Sequence, residues 1–429
     1  MPLEIPFEKH RLANGLQVIL HRDASAPVAA VNLWYHVGSK DERPDATGFA
    51  HLFEHLMFQG SRNYPTDYIA ALQELGAEVN GGTTYDRTSY HEVVPRNSLE
   101  LALAMESDRM GFLLDALSEA KLATQKDVVV NEFRQQYLNR PYGMTWQWLA
   151  ELLYPADHPY SWMTIGRPEH VQAADRGQAA EFFRRWYTPD NAALCIAGDI
   201  DPAAALALAD KWFGDLPAGG HGNGVAPVPA APVPPVPVPP AAANGPVVRT
   251  DRITLSRLHL VWHTVPIMAP DDADLDVLAD ILCRGKTSRL YKTLVYDRQV
   301  AQGVSCEHWS RELGGLFYIV VTAKPGVTLD ALRELVDAEL DRLRSDPPTP
   351  AEMERAWNRR EAGFVYGVQS VLGKADRLNS YNLTTGDPGG FARDLDRFAR
   401  VTADDVQRVL RTYLDPSKRV EMRIVPAGG

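Results

Sequence analysis

Gly48-Phe-Ala-His51-Leu-Phe-Glu54-His55-Leu-Met-Phe58 is the stretch on which the reading of this 429-residue chain turns. Its residues are apolar except at three positions, so a helix here is buried on most sides, and its polar groups need partners. Positions four apart share one helical face, so His51 and His55 aim two imidazoles at one point, with Glu54 projecting beside them. Two neutral imidazoles make half of a zinc site. A catalytic zinc keeps three protein ligands and a water whose pKa falls towards ~7, and Glu54 stands where a general base for that water belongs. The third ligand comes from elsewhere in the chain. Asp86, His91, Glu106 and Glu132 are the candidates, and spacing alone does not choose among them.

Outward from this segment, the sharpest compositional break is Pro217 to Pro246, rich in Pro, Ala and Val. Proline lacks the N–H that a ladder or helix interior requires, so the segment reads as a polyproline II spacer. It divides the chain into 1–216, 217–246 and 247–429, an expected zinc-binding domain, a linker and a second domain without the zinc ligands. The halves follow one order. Leu16–His21 with Val28–His36, and Leu258–His263, read as strands; Gly48–Phe58 and Asp274–Tyr296 as helical; Thr88–Val94 and Gly315–Thr322 as strands again. Longer helices are expected over Leu99–Leu117, Thr124–Leu138 and Pro350–Tyr366. The economical fold is α+β, two similar domains, each a mostly antiparallel sheet packed with helices.

Composition narrows the function further. With 44 Lys+Arg against 55 Asp+Glu the net charge is −11, which lacks the basic footprint of a nucleic-acid binder. Cys195, Cys283 and Cys306 are too few and too scattered for a disulfide framework or a thiolate zinc knuckle, so any metal is held by His and carboxylate. No apolar run approaches the ~18 residues of a membrane span, and the start lacks the basic and apolar regions of a secretory leader. The expectation is a soluble protein, cytoplasmic as written and periplasmic if a leader has been removed. Arg284-Gly-Lys-Thr-Ser288 lacks the upstream glycine of a phosphate loop. His158 reads as a loop histidine, Phe182–Tyr187 as helix core, and Cys195 as a small buried hydrophobe.

His51-x-x-Glu54-His55 is the inverted form of the His-Glu-x-x-His zinc motif. Together with Asn80-Gly-Gly-Thr-Thr-Tyr-Asp-Arg-Thr-Ser-Tyr90, Val129-Val-Asn-Glu132, Tyr187-Thr-Pro-Asp-Asn191 and Ile196-Ala-Gly-Asp199, the segment resembles the pitrilysin (inverzincin, M16) family of zinc metallopeptidases. The likeness is to the bacterial branch related to the mitochondrial processing peptidase subunits. It implies one Zn²⁺ per chain held by His51, His55 and Glu132, with Glu54 as base. It also implies that extended peptide substrate adds as a strand beside Asn80, Gly81, Gly82 and Thr83, where glycine leaves backbone open to close approach.

Two positions depart from that pattern. Gln125 stands where the family often has a Glu seven residues before the ligand Glu, a position expected to orient the ligands from behind. In the second domain many active members carry an Arg and a Tyr seven apart that contact substrate carbonyls; here those positions hold Val295 and Gln302. The resemblance therefore implies that the pair is supplied by a homologous subunit lacking the zinc motif, in a heterodimer rather than a homodimer. Arg289, Tyr291 or Arg298 would otherwise replace it within the chain. The rival to a peptidase is a non-catalytic core or assembly subunit of the same fold.

Overall fold

A computed structural model describes residues 4–219 and 245–427. Most of the expected Pro-rich linker, 220–244, lies outside the described residues. Among the described residues eleven strands form two sheets. The first takes β1 (Glu8–Arg11), β2 (Gln17–Arg22), β3 (Val28–Tyr35), β4 (Glu78–Thr83), β5 (Thr88–Pro95) and β6 (Ala192–Gly198), in the order β1-β2-β6-β3-β5-β4. The second takes β7 (Val247–Asp251), β8 (Arg257–Thr264), β9 (Ala301–Arg311), β10 (Gly314–Ala323) and β11 (Val420–Pro426), in the order β7-β11-β8-β10-β9.

Aligning β2 with β7 makes the two orders identical, apart from the extra β1 at one edge. Each sheet is mixed, with a single parallel pair, β2 with β6 and β7 with β11, and is otherwise antiparallel. The last strand of each sheet slots in parallel beside β2 or its counterpart β7. The β-branched and aromatic content that marks β3 and β8 suits them to the sheet centres, where β3 is buried at all but its first residue and β8 over Leu258–Trp262.

The compact units do not follow the chain halves throughout. Among the described residues one unit comprises 4–135, 157–219 and 365–393, and the other 136–156, 245–364 and 394–427. The 365–393 segment joins the first unit through its Val371–Thr385 helix, where Asn379 Nδ2 donates to the Asn32 carbonyl (2.8 Å) and Oδ1 (2.7 Å). Both asparagines are buried, and the Asn379 amide N–H groups satisfy two acceptors of Asn32.

Two helical spans differ from expectation. The span over Asp274–Tyr296 is a helix only at Asp272–Cys283, followed by a turn through Gly285 at φ +87° and a π-helical segment, Tyr291–Asp297. The span over Thr124–Leu138 begins earlier, at Glu119, because Ser118 Oγ accepts the Lys121 N–H and caps it; beyond Phe133 it widens into the π-helical turn Arg134–Leu138. Among the described residues no helix is long and apolar enough to cross a membrane.

Candidate metal centre and its sheet edge

The helix that carries His51 and His55 spans Phe49–Leu56. Its buried face, Phe49, Ala50, Leu52, Phe53 and Leu56, faces the unit core. Phe53 lies 5.8 Å from the Phe182 ring in a stacked pair, and 5.6 and 5.3 Å from Phe183 and Tyr187. Full burial of such a ring contributes on the order of 1.5–3 kcal/mol, so the Phe182–Tyr187 run is core, as its spacing suggests. Gly48 precedes the helix at φ +95°, and a Cβ there would stand 2.6 Å from Val171 Cγ2 and 2.8 Å from the Ile165 carbonyl. Only glycine fits.

With Gly48 in that conformation, the first N–H groups of the helix point at the buried Glu42, whose two carboxylate oxygens accept from Gly48 N and Ala50 N, both at 2.8 Å. Trp162 Nε1 donates to the same carboxylate at 3.1 Å. Burial pushes the Glu42 pKa up to about 8, against the downward pull of those donors. The sequence reading missed Glu42; an acidic residue six positions ahead of a helix without a Ser, Thr, Asp or Asn cap was the available signal.

The third candidate arrives from a different helix. Glu132 closes the last turn of Glu119–Phe133, and its Oε2 lies 3.3 Å from His55 Nε2 and 3.8 Å from His51 Nε2. The two imidazole rings are 4.8 Å apart and nearly perpendicular. His51 is the more deeply placed, and burial lowers its pKa; the neighbouring imidazoles lower that of Glu132, chiefly through His55. Both shifts favour a neutral imidazole and an anionic carboxylate, the forms that bind a metal. Two imidazoles and one carboxylate in this arrangement suit a divalent zinc ion.

The remaining candidates go elsewhere. Glu106 accepts from the fully buried Arg109 at Nε (2.9 Å), which also reaches Glu92 at 3.3 Å and lies over the rings of Tyr68 and Tyr90. Asp86 accepts from Tyr160 Oη at 2.6 Å. His91 sits on β5 opposite Asn80. His158 is buried in its loop and accepts the Tyr160 N–H at 3.0 Å. Gln125 is buried on the Glu119–Phe133 helix, two turns before Glu132 and on the same face.

Asn80, Gly81, Gly82 and Thr83 lie within β4, which pairs with β5 on one side and forms the edge of its sheet. Gly81 fits under the rings of Phe58 and Tyr90, where a Cβ would come within 3.1 Å of each; a Cβ on Gly82 would meet nothing within 4 Å. The pair is thus a strand segment and not a turn, and its open side is bare backbone. Thr83 Oγ1 donates to Glu54 Oε2 at 2.6 Å, tying the edge strand to the carboxylate beside the imidazoles.

Two family models match the chain: "Insulinase (Peptidase family M16)" over residues 17–142, and "Peptidase M16 inactive domain" over 173–360. The zinc protease PqqE of Helicobacter pylori is 26% identical over 421 residues, 98% of this chain and 93% of that protein. A solved protease from Helicobacter pylori superposes with a TM-score of 0.87 at 25% identity, covering 98% of this chain and all of the other. Pitrilysin shares the fold at 18% identity and a TM-score of 0.77; the match covers 98% of this chain but only 45% of pitrilysin.

Proposed function

Given that this chain belongs to the M16 peptidase family, we propose that it hydrolyses extended or unfolded peptides at the His51, His55 and Glu132 cluster, with Glu54 as general base. The observation that carries this is the approach of Glu132 Oε2 to both His Nε2 atoms from a second helix, with 76 residues intervening between His55 and Glu132, and with a carboxylate that is not one of the three donors alongside. A zinc ion held by His51, His55 and Glu132 would supply a bound water acidic enough to serve as nucleophile near neutral pH. Glu54 takes that water's proton and delivers it to the leaving amine. The Thr83 hydroxyl holds the Glu54 carboxylate in place for both transfers.

Substrate lies along β4 and adds to the sheet through main-chain hydrogen bonds, with Asn80, Gly81, Gly82 and Thr83 as the docking segment. Affinity obtained in this way is largely blind to side chains, so chains already extended are favoured over folded ones. Removing metal with a chelator should abolish cleavage of an unstructured reporter peptide, and one equivalent of Zn²⁺ should restore it; cleavage that persists after metal analysis shows an empty protein would overturn the reading.

Substitution at Thr83 probes the link between strand and base. A hydrogen bond to a charged acceptor is worth about 1.5–3 kcal/mol, so Thr83→Val should lower kcat by about 10-fold or more with KM little changed, while Thr83→Ser keeps most of the rate. Equal kcat in all three proteins would separate Thr83 from catalysis.

We further propose that the chain works as the zinc-bearing member of a heterodimer. Val295 and Gln302 provide neither cation nor phenol, and Arg289 is already committed: its guanidinium pairs with Glu352 at 2.8 and 3.0 Å and donates to the Asp346 and Pro347 carbonyls. Its place in the chain is therefore structural. That pitrilysin is about twice this length is consistent with a second, homologous half being needed. The non-catalytic rival leaves the joint presence of His51, Glu54, His55 and Glu132 without a purpose.

A further inference from the structure

The second unit repeats the topology of the first, and in the repeat the helix following the central strand is Asp272–Cys283. Where the first unit has His51 and His55 four apart, this helix has Asp272 and Asp276 four apart. Where the first unit has β4, the second has β9, and β9 carries His308. His308 Nδ1 lies 3.5 Å from Asp272 Oδ1 and 3.9 Å from Asp276 Oδ1. We propose that these three side chains form a second metal site, which takes a divalent first-row transition ion such as Zn²⁺ and fixes the Asp272–Cys283 helix to β9.

Three features of the cluster argue for a cation. First, the donor atoms facing the centre make no well-formed hydrogen bond: His308 Nδ1 and Asp272 Oδ1 are buried and face one another at 3.5 Å, with the His308 side chain 0% exposed. Buried polar atoms are rarely left so. Second, the opposite atom of each group is engaged. Asp272 Oδ2 accepts from both terminal nitrogens of Arg397 at 3.0 Å and from Met268 N at 2.9 Å; Asp276 Oδ2 faces Arg360 at 3.4 Å; His308 Nε2 pairs with Thr264 Oγ1 at 3.0 Å. Partners held from behind in this way fix the orientation of metal ligands and, for histidine, the tautomer.

Third, the charges do not balance. Four carboxylates, Asp272, Asp276, Asp280 and Asp394, gather about Arg360 and Arg397, with Arg284 reaching only Asp280, at 3.9 Å. A buried excess of negative charge is costly. A divalent ion supplies the missing charge. One imidazole and two carboxylates form a mixed nitrogen and oxygen set suited to Zn²⁺ or Mn²⁺. Zinc bonds of about 2.0–2.2 Å place tetrahedral donors roughly 3.4 Å apart, close to the 3.5 and 3.9 Å found here and to the 3.3 and 3.8 Å of the first cluster.

The test uses the full chain with the first cluster disabled by His51→Ala and His55→Ala, dialysed against Zn²⁺ and then against metal-free buffer. Elemental analysis should find about one zinc per chain, and added Zn²⁺ should raise the melting temperature. Adding Asp276→Asn, a change of nearly equal volume, or separately His308→Gln, should bring bound zinc close to zero and remove the rise. Zinc below about a fifth of an equivalent in the His51→Ala, His55→Ala protein overturns the proposal whatever the added variants do. So does an equivalent that survives both Asp276→Asn and His308→Gln. Because the first cluster is absent throughout, neither result bears on peptide hydrolysis.

Discussion

Glu54→Gln should reduce peptide hydrolysis by about 10²–10⁴-fold, the span that a positioned general base typically supplies, while bound zinc stays at the wild-type level. The amide keeps the shape of the carboxylate and can still accept the Thr83 hydroxyl, so the 2.6 Å link to β4 survives. It cannot take a proton from water at neutral pH. Glu54 is not among the three converging donors, and so the metal content of the variant, measured by elemental analysis, separates loss of the base from loss of the site. Wild-type turnover in a Gln variant that keeps its zinc would dismiss Glu54 as the base.

The second large effect concerns the partner. Purified alone and loaded with zinc, the chain should cleave an unstructured peptide about 10²–10³-fold more slowly than when combined with a homologous subunit that carries an Arg and a Tyr in its second domain. That is the usual cost of lacking one donor to the oxyanion of the tetrahedral intermediate. Arg289 cannot make up the loss without abandoning Glu352, and a partly buried carboxylate stripped of its guanidinium is itself costly. Co-purification from the native host followed by rate measurements on the separated and recombined chains reads the effect directly. No gain on recombination would place the missing donors within this chain.

The two metal clusters would put a single architectural position to different uses. In the first unit the i, i+4 pair is two imidazoles, joined by a carboxylate 35% exposed, at the margin of an open strand edge. In the second it is two carboxylates joined by a buried imidazole, enclosed by arginines. An open set of three donors leaves room for water and substrate; an enclosed one suits a structural ion. The Asp272 and Asp276 spacing was visible in the sequence, but nothing there says that the opposite strand offers His308 or that two arginines from later helices back the carboxylates.

What the chain dictates by local rules was legible without coordinates. His51, Glu54 and His55 lie within one turn of one helix, so the 3.6-residue period alone brings them together. The repeat of strand and helix order along the halves likewise follows from local patterning, and so the α+β duplication could be read. Tertiary structure decided what depends on distant partners: which acidic residue meets the imidazoles, because helix packing sets that geometry; that Glu42 caps the zinc helix, because only the folded chain brings a buried carboxylate to its N–H groups; and that β4 lies at a sheet edge, because strand order is a matter of topology. The exchange of 136–156 and 365–393 between units belongs with these, since the Asn379 and Asn32 amides find one another only once both surfaces exist. Short-range periodicity is written in neighbouring residues, whereas long-range pairing is selected by the free energy of the whole packed chain.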